Sequence, residues 1–168
     1  MSYQEHQQAA DVVRAHCAVI TLSDTRTEQT DKSGMRIREL LADAGHQVAF
    51  YRVIPDESAH LDELLTDLVV QADLQLIITN GGTGISRRDN TIPVIRKHLT
   101  MELPGFGELF RMLSYQQIKS GAMLSRALGG IAGGKLLFAL PGSTAAVELA
   151  MSELILPEIR HLISELRK

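Results

Sequence analysis

The sequence predicts an α/β fold built on a parallel sheet, and three observations carry that reading. Short apolar runs such as His16-Cys17-Ala18-Val19-Ile20-Thr21-Leu22 read as strands, and this first one is apolar on both alternations, as a parallel strand covered on both faces should be. Helical patterns separate the runs in the order β-α-β-α-β-loop-α, which calls for right-handed crossovers. The third run, Leu74 to Thr79, feeds a loop with three glycines in four residues, Gly81-Gly82-Thr83-Gly84.

The elements follow in order. The polar residues 1–14 read as an N-terminal arm and residues 15–168 as a single domain. The first strand ends in Ser23-Asp24-Thr25-Arg26. Ser33 is the expected N-cap of a helix whose apolar face is Ile37, Leu40, Leu41 and Ala44, stopped by Gly45. Gln47 to Ile54 is the second strand. Pro55-Asp56-Glu57 ends it and opens a helix bearing Leu61, Leu64, Leu65, Leu68 and Val69. After the glycine loop, Thr91 to His98 is a helix that tolerates Pro93 in its first turn. Glu102 to Gly107 reads as a break, Glu108 to Leu113 as a helix and Ser114 to Gly121 as a turn with a helical piece. Residues 122–134 hold two glycine pairs, suggesting a tight crossing and a short strand. Lys135 to Leu140 is another buried strand, and a helix runs from Pro141-Gly142-Ser143-Thr144 to the C-terminus, bent or split at Pro157.

Composition narrows the function classes. A chain of 168 residues with 45% hydrophobic and 22% charged residues suits one globular domain. A net charge of −3 and no tryptophan give no case for a nucleic-acid surface. No apolar run reaches the ~18 residues that span a bilayer. The first fifteen residues are too polar for a secretory signal. One cysteine, Cys17, excludes an intrachain disulfide and fits a reducing cytoplasm; its place in a strand makes it an inert buried thiol. The histidines are scattered singly, so a structural zinc site is not expected.

Three loops, 23–26, 80–91 and 140–144, follow buried strands and converge on one rim, where α/β sheets bind ligands. Glycine-loop amides, the following helix N-terminus, Arg87 and Arg88 suit an anion. Asp89 is a carboxylate in a cation-friendly loop, and phosphates would repel it unless Mg²⁺ lay between. With Asp56 it makes a candidate Mg²⁺-holding pair; the bland alternative is that Asp56 and Asp89 each cap the helix that follows, and that Asp24 is a turn residue. Ser143 reads as an N-cap, and Glu108 with Arg111 as a surface pair. The P-loop pattern is absent because no Lys-Ser/Thr follows the glycines, and the dinucleotide fingerprint is absent because Arg87 stands where its third glycine belongs.

Taken together, these residues resemble a known family. Thr79-Asn80-Gly81-Gly82-Thr83-Gly84 and Arg88-Asp89-Asn90-Thr91 are similar to the signature of the molybdenum cofactor biosynthesis proteins of the MoaB/MogA type, a family that includes the G domain of gephyrin-like proteins. Leu22-Ser23-Asp24, Ile54-Pro55-Asp56-Glu57, Pro104-Gly105-Phe106-Gly107-Glu108, Leu124-Ser125-Arg126 and Leu140-Pro141-Gly142-Ser143 follow in the family's order. The resemblance spans residues 14–160, and Phe110 to Tyr115 with Leu140 to Thr144 look closer to the B-type branch. Asn90 stands where the A-type pattern has an apolar residue.

The resemblance implies a molybdopterin-binding-like fold of three layers, α/β/α, in a homotrimer or homohexamer. It implies Mg²⁺- and ATP-dependent adenylylation of molybdopterin with release of pyrophosphate, and a downstream metal-insertion protein as partner. By motif, Asp56 and Asp89 take the catalytic, metal-holding role. Ser23, Asp24, Gly81, Gly82, Thr83, Gly84, Ser86, Arg88, Pro141, Gly142 and Ser143 line or close the phosphate and substrate site. The alternatives are a molybdopterin-binding protein or carrier without that activity, which includes an inactive B-type paralogue, and an unrelated nucleotide-binding protein of doubly wound type.

Overall fold

The computed structural model describes residues 13–168, so the expected N-terminal arm lies outside the described residues except for its last two. The strands are β1 (His16–Leu22), β2 (Gln47–Ile54), β3 (Leu76–Asn80), β4 (Met101–Glu102), β5 (Leu128–Ala132) and β6 (Lys135–Leu140), in the sheet order β2-β1-β3-β6-β5-β4. The first four in that order run parallel, and β5 and then β4 are added antiparallel at one edge. The helices are α1 (Lys32–Asp43), α2 (Ser58–Val69), α3 (Thr91–His98), α4 (Pro104–Ile118), α5 (Thr144–Ala150) and α6 (Leu156–Leu166).

Alternation along the central strands divides the core into two layers. Val19, Leu76, Ile78, Phe138 and Leu140 face α1, α4, α5 and α6, through Ile37, Leu41, Phe106, Phe110, Val147, Ile159 and Ile163. Ala18, Ile20, Ile77, Leu137 and Ala139 face α2 and α3, through Leu61, Leu65, Leu68, Ile92 and Ile95. Each fully buried leucine or isoleucine contributes about 1.5–3 kcal/mol, so the sheet is held from both faces and the fold is the expected three-layer α/β/α. Cys17 is fully buried, and burial pushes its thiol up to about 12.

Four local expectations are corrected. Asp31, not Ser33, caps α1: its carboxylate accepts the Gly34 N–H at 3.1 Å. The third strand runs from Leu76 to Asn80 rather than from Leu74 to Thr79, and α2 begins at Ser58, beyond Pro55-Asp56-Glu57. The segment expected to break at 102–107 instead gives a two-residue strand and then a helix already formed at Pro104. That helix continues to Ile118 before a 3₁₀ stretch from Lys119 to Leu124. Phe106 drives the early start by packing with its ring centroid 4.7 Å from that of Phe138. The helix passes so close to β5 at residue 107 that a Cβ there would meet the Ala127 carbonyl at 2.8 Å, which is why a glycine stands in it.

Pro157 lies in the first turn of α6, where its missing N–H costs little. A π-helical stretch, Met151–Ile155, joins α5 to α6 and absorbs the break. The second glycine pair makes the β5–β6 hairpin turn, Gly133 and Gly134 having φ of +55° and +74°. Such a two-residue turn requires positive φ at both positions.

Candidate functional site

The parallel strands β1, β3 and β6 end side by side, so their three following loops meet at one rim. Between the loops lies a cleft of about 370 Å³, lined by Ser23, Thr25 and Arg26, by Gly81 to Gly84 with Asp89, by Pro141 and Gly142, and by Leu124 and Ser125 arriving from the 3₁₀ stretch.

The glycine loop is tied to the sheet at its base. Gly81 donates its N–H to Leu140 O at 3.0 Å, and Thr91 returns its hydroxyl to Gly81 O at 3.0 Å and its N–H to Gly82 O at 3.2 Å. Gly81 and Gly82 have φ of +99° and +62°, a backbone for which glycine is suited. Gly82 also has no room for a side chain, because a Cβ would come within 2.6 Å of Asp56 Oδ1. Arg126 clamps the far side: its guanidinium donates to the carbonyls of Thr83 at 3.0 Å, of Gly84, and of Asp89 at 2.7 Å. The motif Leu124-Ser125-Arg126 is visible in the sequence; its task is not, because three backbone carbonyls leave no trace in residue identity.

Three carboxylates gather beside the loop. Asp56 leaves the end of β2, and its N–H donates to Asp24 Oδ1 at 3.1 Å. Asp24 Oδ2 pairs with Arg88 at 2.8 Å. Partial burial, and then the charges of Asp89 and Asp24, push the Asp56 carboxyl above its ordinary range, with Arg88 pulling the other way. Asp89 behaves oppositely. Hydrogen bonding from the Ser86 side chain and from the Ser86 and Gly84 backbone outweighs burial, and with Arg126 nearby holds its carboxyl below the ordinary range. Its Oδ2 accepts the Ser86 N–H at 2.7 Å.

Neither aspartate caps a helix. Glu57 precedes α2 and Asn90 precedes α3, and neither makes a side-chain cap bond. Asp56 is therefore held against a repulsive neighbour with no capping role to explain it. Among the described residues no three acidic, histidine or cysteine side chains are grouped to hold a metal alone. The set fits Mg²⁺, which binds through one or two carboxylates and completes its shell with waters and substrate phosphates. Asp56 and Asp89 are the side chains that would hold it.

The remaining expected residues fall into distinct tasks. Ser23 accepts the N–H groups of Thr25 and Arg26 at 3.3 and 3.1 Å and so shapes its loop. Ser143 is the N-cap of α5, accepting Ala146 N–H at 3.2 Å. Asp24, Asp56, Ser86, Arg88 and Ser143 are not among the described residues that line the cleft. Arg26, which lines it, stands in the sequence only as a cation in a polar loop. No helix among the described residues is long and apolar enough to cross a membrane.

Comparison with known proteins agrees with this fold. A family model described as "Probable molybdopterin binding domain" matches residues 18–161. Molybdenum cofactor biosynthesis protein B of Bacillus cereus is 49% identical over 100% of this chain and 99% of its own length. The Bacillus subtilis protein of the same name is 48% identical over the same shares. A crystal structure of molybdenum cofactor biosynthesis protein B, 48% identical, superposes with a TM-score of 0.89 over 92% of this chain and 97% of that one. The tungsten cofactor synthesizing protein MoaB from Pyrococcus furiosus, 36% identical, gives 0.82 over 92% and 98%. The chain belongs to the molybdopterin-binding-domain family of molybdenum cofactor biosynthesis proteins, on its B-type side.

Proposed function

We propose that the chain acts in molybdenum cofactor biosynthesis by adenylylating molybdopterin, with Mg²⁺ and ATP as cofactor and co-substrate. The observation that carries this reading is Asp56, a carboxylate kept beside Asp89 and Asp24 and against Gly82 of the glycine loop. Mutual repulsion of that kind is costly in the free protein and is relieved by a cation.

The chemistry needs little from the protein beyond binding and charge. A phosphate oxygen of molybdopterin attacks the α-phosphorus of ATP. The new P–O bond forms as the α–β bridging P–O bond breaks, and pyrophosphate leaves with that electron pair. The nucleophile is already anionic, so no protein base is required. The glycine loop lines the cleft. The Gly81 and Gly84 N–H groups are bonded to Leu140 and Asp89, which leaves the amides of Gly82 and Thr83 to donate to phosphate oxygens. Arg126 fixes the loop, and Thr91 anchors its base. Asp56 and Asp89 would hold Mg²⁺, which when bound neutralises phosphate charge and orients the leaving group.

A homo-oligomer, trimer or hexamer, and a downstream metal-insertion partner belong to the same proposal. Leu109, Met112, Tyr115 and Ile118 on α4 are each about half exposed, between 47% and 58%, and favour a subunit contact there.

The test is product identity. The protein is incubated with molybdopterin, ATP and Mg²⁺, and the pterin is weighed by mass spectrometry. A pterin carrying one AMP, absent without Mg²⁺, is expected. Unmodified pterin bound to the protein would leave the carrier reading in its place.

A further inference from the structure

We infer that Arg26 is the guanidinium that grips a ligand phosphate in the cleft, and that buried Asp31 and Ser33 are the residues that aim it. This rests on the proposal that the cleft takes phosphorylated ligands.

Of the other rim arginines, Arg87 is exposed and does not line the cleft, and two are committed elsewhere. Arg88 is paired with Asp24, and Arg126 is occupied by three loop carbonyls. Arg26 lines the cleft itself and is 37% exposed. Its Nη1 alone makes the protein bonds, to Ser33 Oγ at 2.8 Å and to Gly142 O at 3.1 Å, across from the glycine loop. Nε and Nη2 make no hydrogen bond to another described residue, which leaves one edge of the fork for an anion.

Beneath it lies a largely buried polar network. Asp31, Thr21 and Asn80 are fully buried and Ser33 is 1% exposed. Asp31 Oδ1 stands 3.5 Å from Arg26 Nη1. Asp31 accepts from Thr21, Tyr51, Ser33 and the Gly34 N–H at 2.5, 2.9, 3.0 and 3.1 Å. Asn80 donates to Thr21 Oγ1 at 2.8 Å, and its Oδ1 lies 2.7 Å from Ser33 Oγ. The network ties β1, β2, β3 and the α1 N-terminus to one guanidinium. That is more organisation than capping α1 requires.

The experiment titrates Mg²⁺-ATP and, separately, molybdopterin into the full-length protein by calorimetry. A charge-assisted phosphate bond is worth about 1.5–3 kcal/mol, or roughly 10–100-fold in affinity. Arg26→Gln is expected to weaken one of the two ligands by that factor, and the affected ligand identifies whose phosphate is held. Arg26→Lys, which keeps the charge but not the fork, should fall between. Ser33→Ala should weaken the same ligand and add nothing to Arg26→Gln, as a positioning residue acting through Arg26 must. Affinities for both ligands within about twofold of wild type in Arg26→Gln, or no wild-type binding of either, would overturn the assignment; an equal Ser33→Ala loss in both backgrounds would overturn the positioning role. Wild-type binding of both ligands without product, together with the Arg26→Gln loss, would remove the adenylylation proposal and leave this one standing.

Discussion

The Asp56 N–H donates to Asp24 Oδ1 at 3.1 Å, which fixes the end of β2 against the loop after β1. That bond sets two carboxylates side by side, and Asp89 makes a third charge facing Asp56. The charged form of Asp56, opposed by burial and then by these two neighbours, is a stability cost in the free protein, and its consequences are measurable.

Asp56→Asn is expected to abolish adenylyl transfer while raising thermal stability at neutral pH. The Asp56 carboxyl is pushed up by burial and by its acidic neighbours, so the fold favours its protonated form. That contribution is fully present below the unfolded value and is lost as pH rises through the raised folded value. The variant should therefore melt higher than wild type at pH 7, by at most about 2 °C given solvent screening, and equal it below about pH 4. Calorimetric melts at both pH values check this. An unchanged melting temperature at pH 7 would remove the repulsion.

Gly82→Ala should lose activity and about 1–3 kcal/mol of stability. Its φ of +62° is unfavourable for an L residue, and the added methyl would press first on Thr91 Oγ1 and then within 2.6 Å of Asp56 Oδ1. Urea unfolding measures the loss. Wild-type stability would mean that the loop can move away from Thr91 and Asp56.

Arg126→Ala should free the glycine loop by removing its three carbonyl bonds. Faster amide hydrogen exchange across 83–89 and a fall in turnover are expected. Arg126→Lys should restore neither, because one ammonium on a flexible stem cannot reproduce the planar fork. Exchange at the wild-type rate in Arg126→Ala would show that the bonds made by Thr91, Leu140 and Asp89 hold the loop without it.

Acid should weaken the protein through His46, far from the cleft. His46 is 4% exposed, and its Nδ1 accepts the Ala15 N–H at 3.1 Å. Burial, then Arg160 and Arg14, lower its proton affinity, so the folded chain prefers the neutral ring. That stability is present above about pH 6.5, the ordinary value, and is lost as pH falls through the lowered folded value. Urea midpoints should drop between pH 7 and pH 5, and His46→Asn, whose amide oxygen can accept the same N–H, should flatten the drop. An equal drop in the variant would assign it to other groups.

Much of this architecture is legible in the sequence because it is local. The strand before the glycine loop, the loop itself and the Gly133-Gly134 turn are specified by neighbouring residues. What escapes is decided by distant partners. Pro104-Gly105 and Gly107 argue against a helix, yet Phe106 and Phe110 bury against the sheet and override local propensity. Asp31 reads as a polar residue in a loop, yet it is fully buried because Thr21, Ser33 and Tyr51 come to it from three elements. Arg126 and Arg26 differ in task only through what surrounds them. The candidate aspartates could be chosen by resemblance, but that they cap nothing and repel one another required coordinates.

The central claim is that the Asp56–Asp89 pair serves phosphoryl chemistry on molybdopterin. The most direct measurement is pyrophosphate released from Mg²⁺-ATP with and without molybdopterin, in wild type, Asp56→Asn and Asp89→Asn, alongside pterin affinity for each. Release that depends on molybdopterin in wild type, and falls by about a hundredfold or more in both variants while pterin affinity stays within a few-fold, is the expected result. Pterin bound equally by all three proteins with no pyrophosphate from any would contradict it.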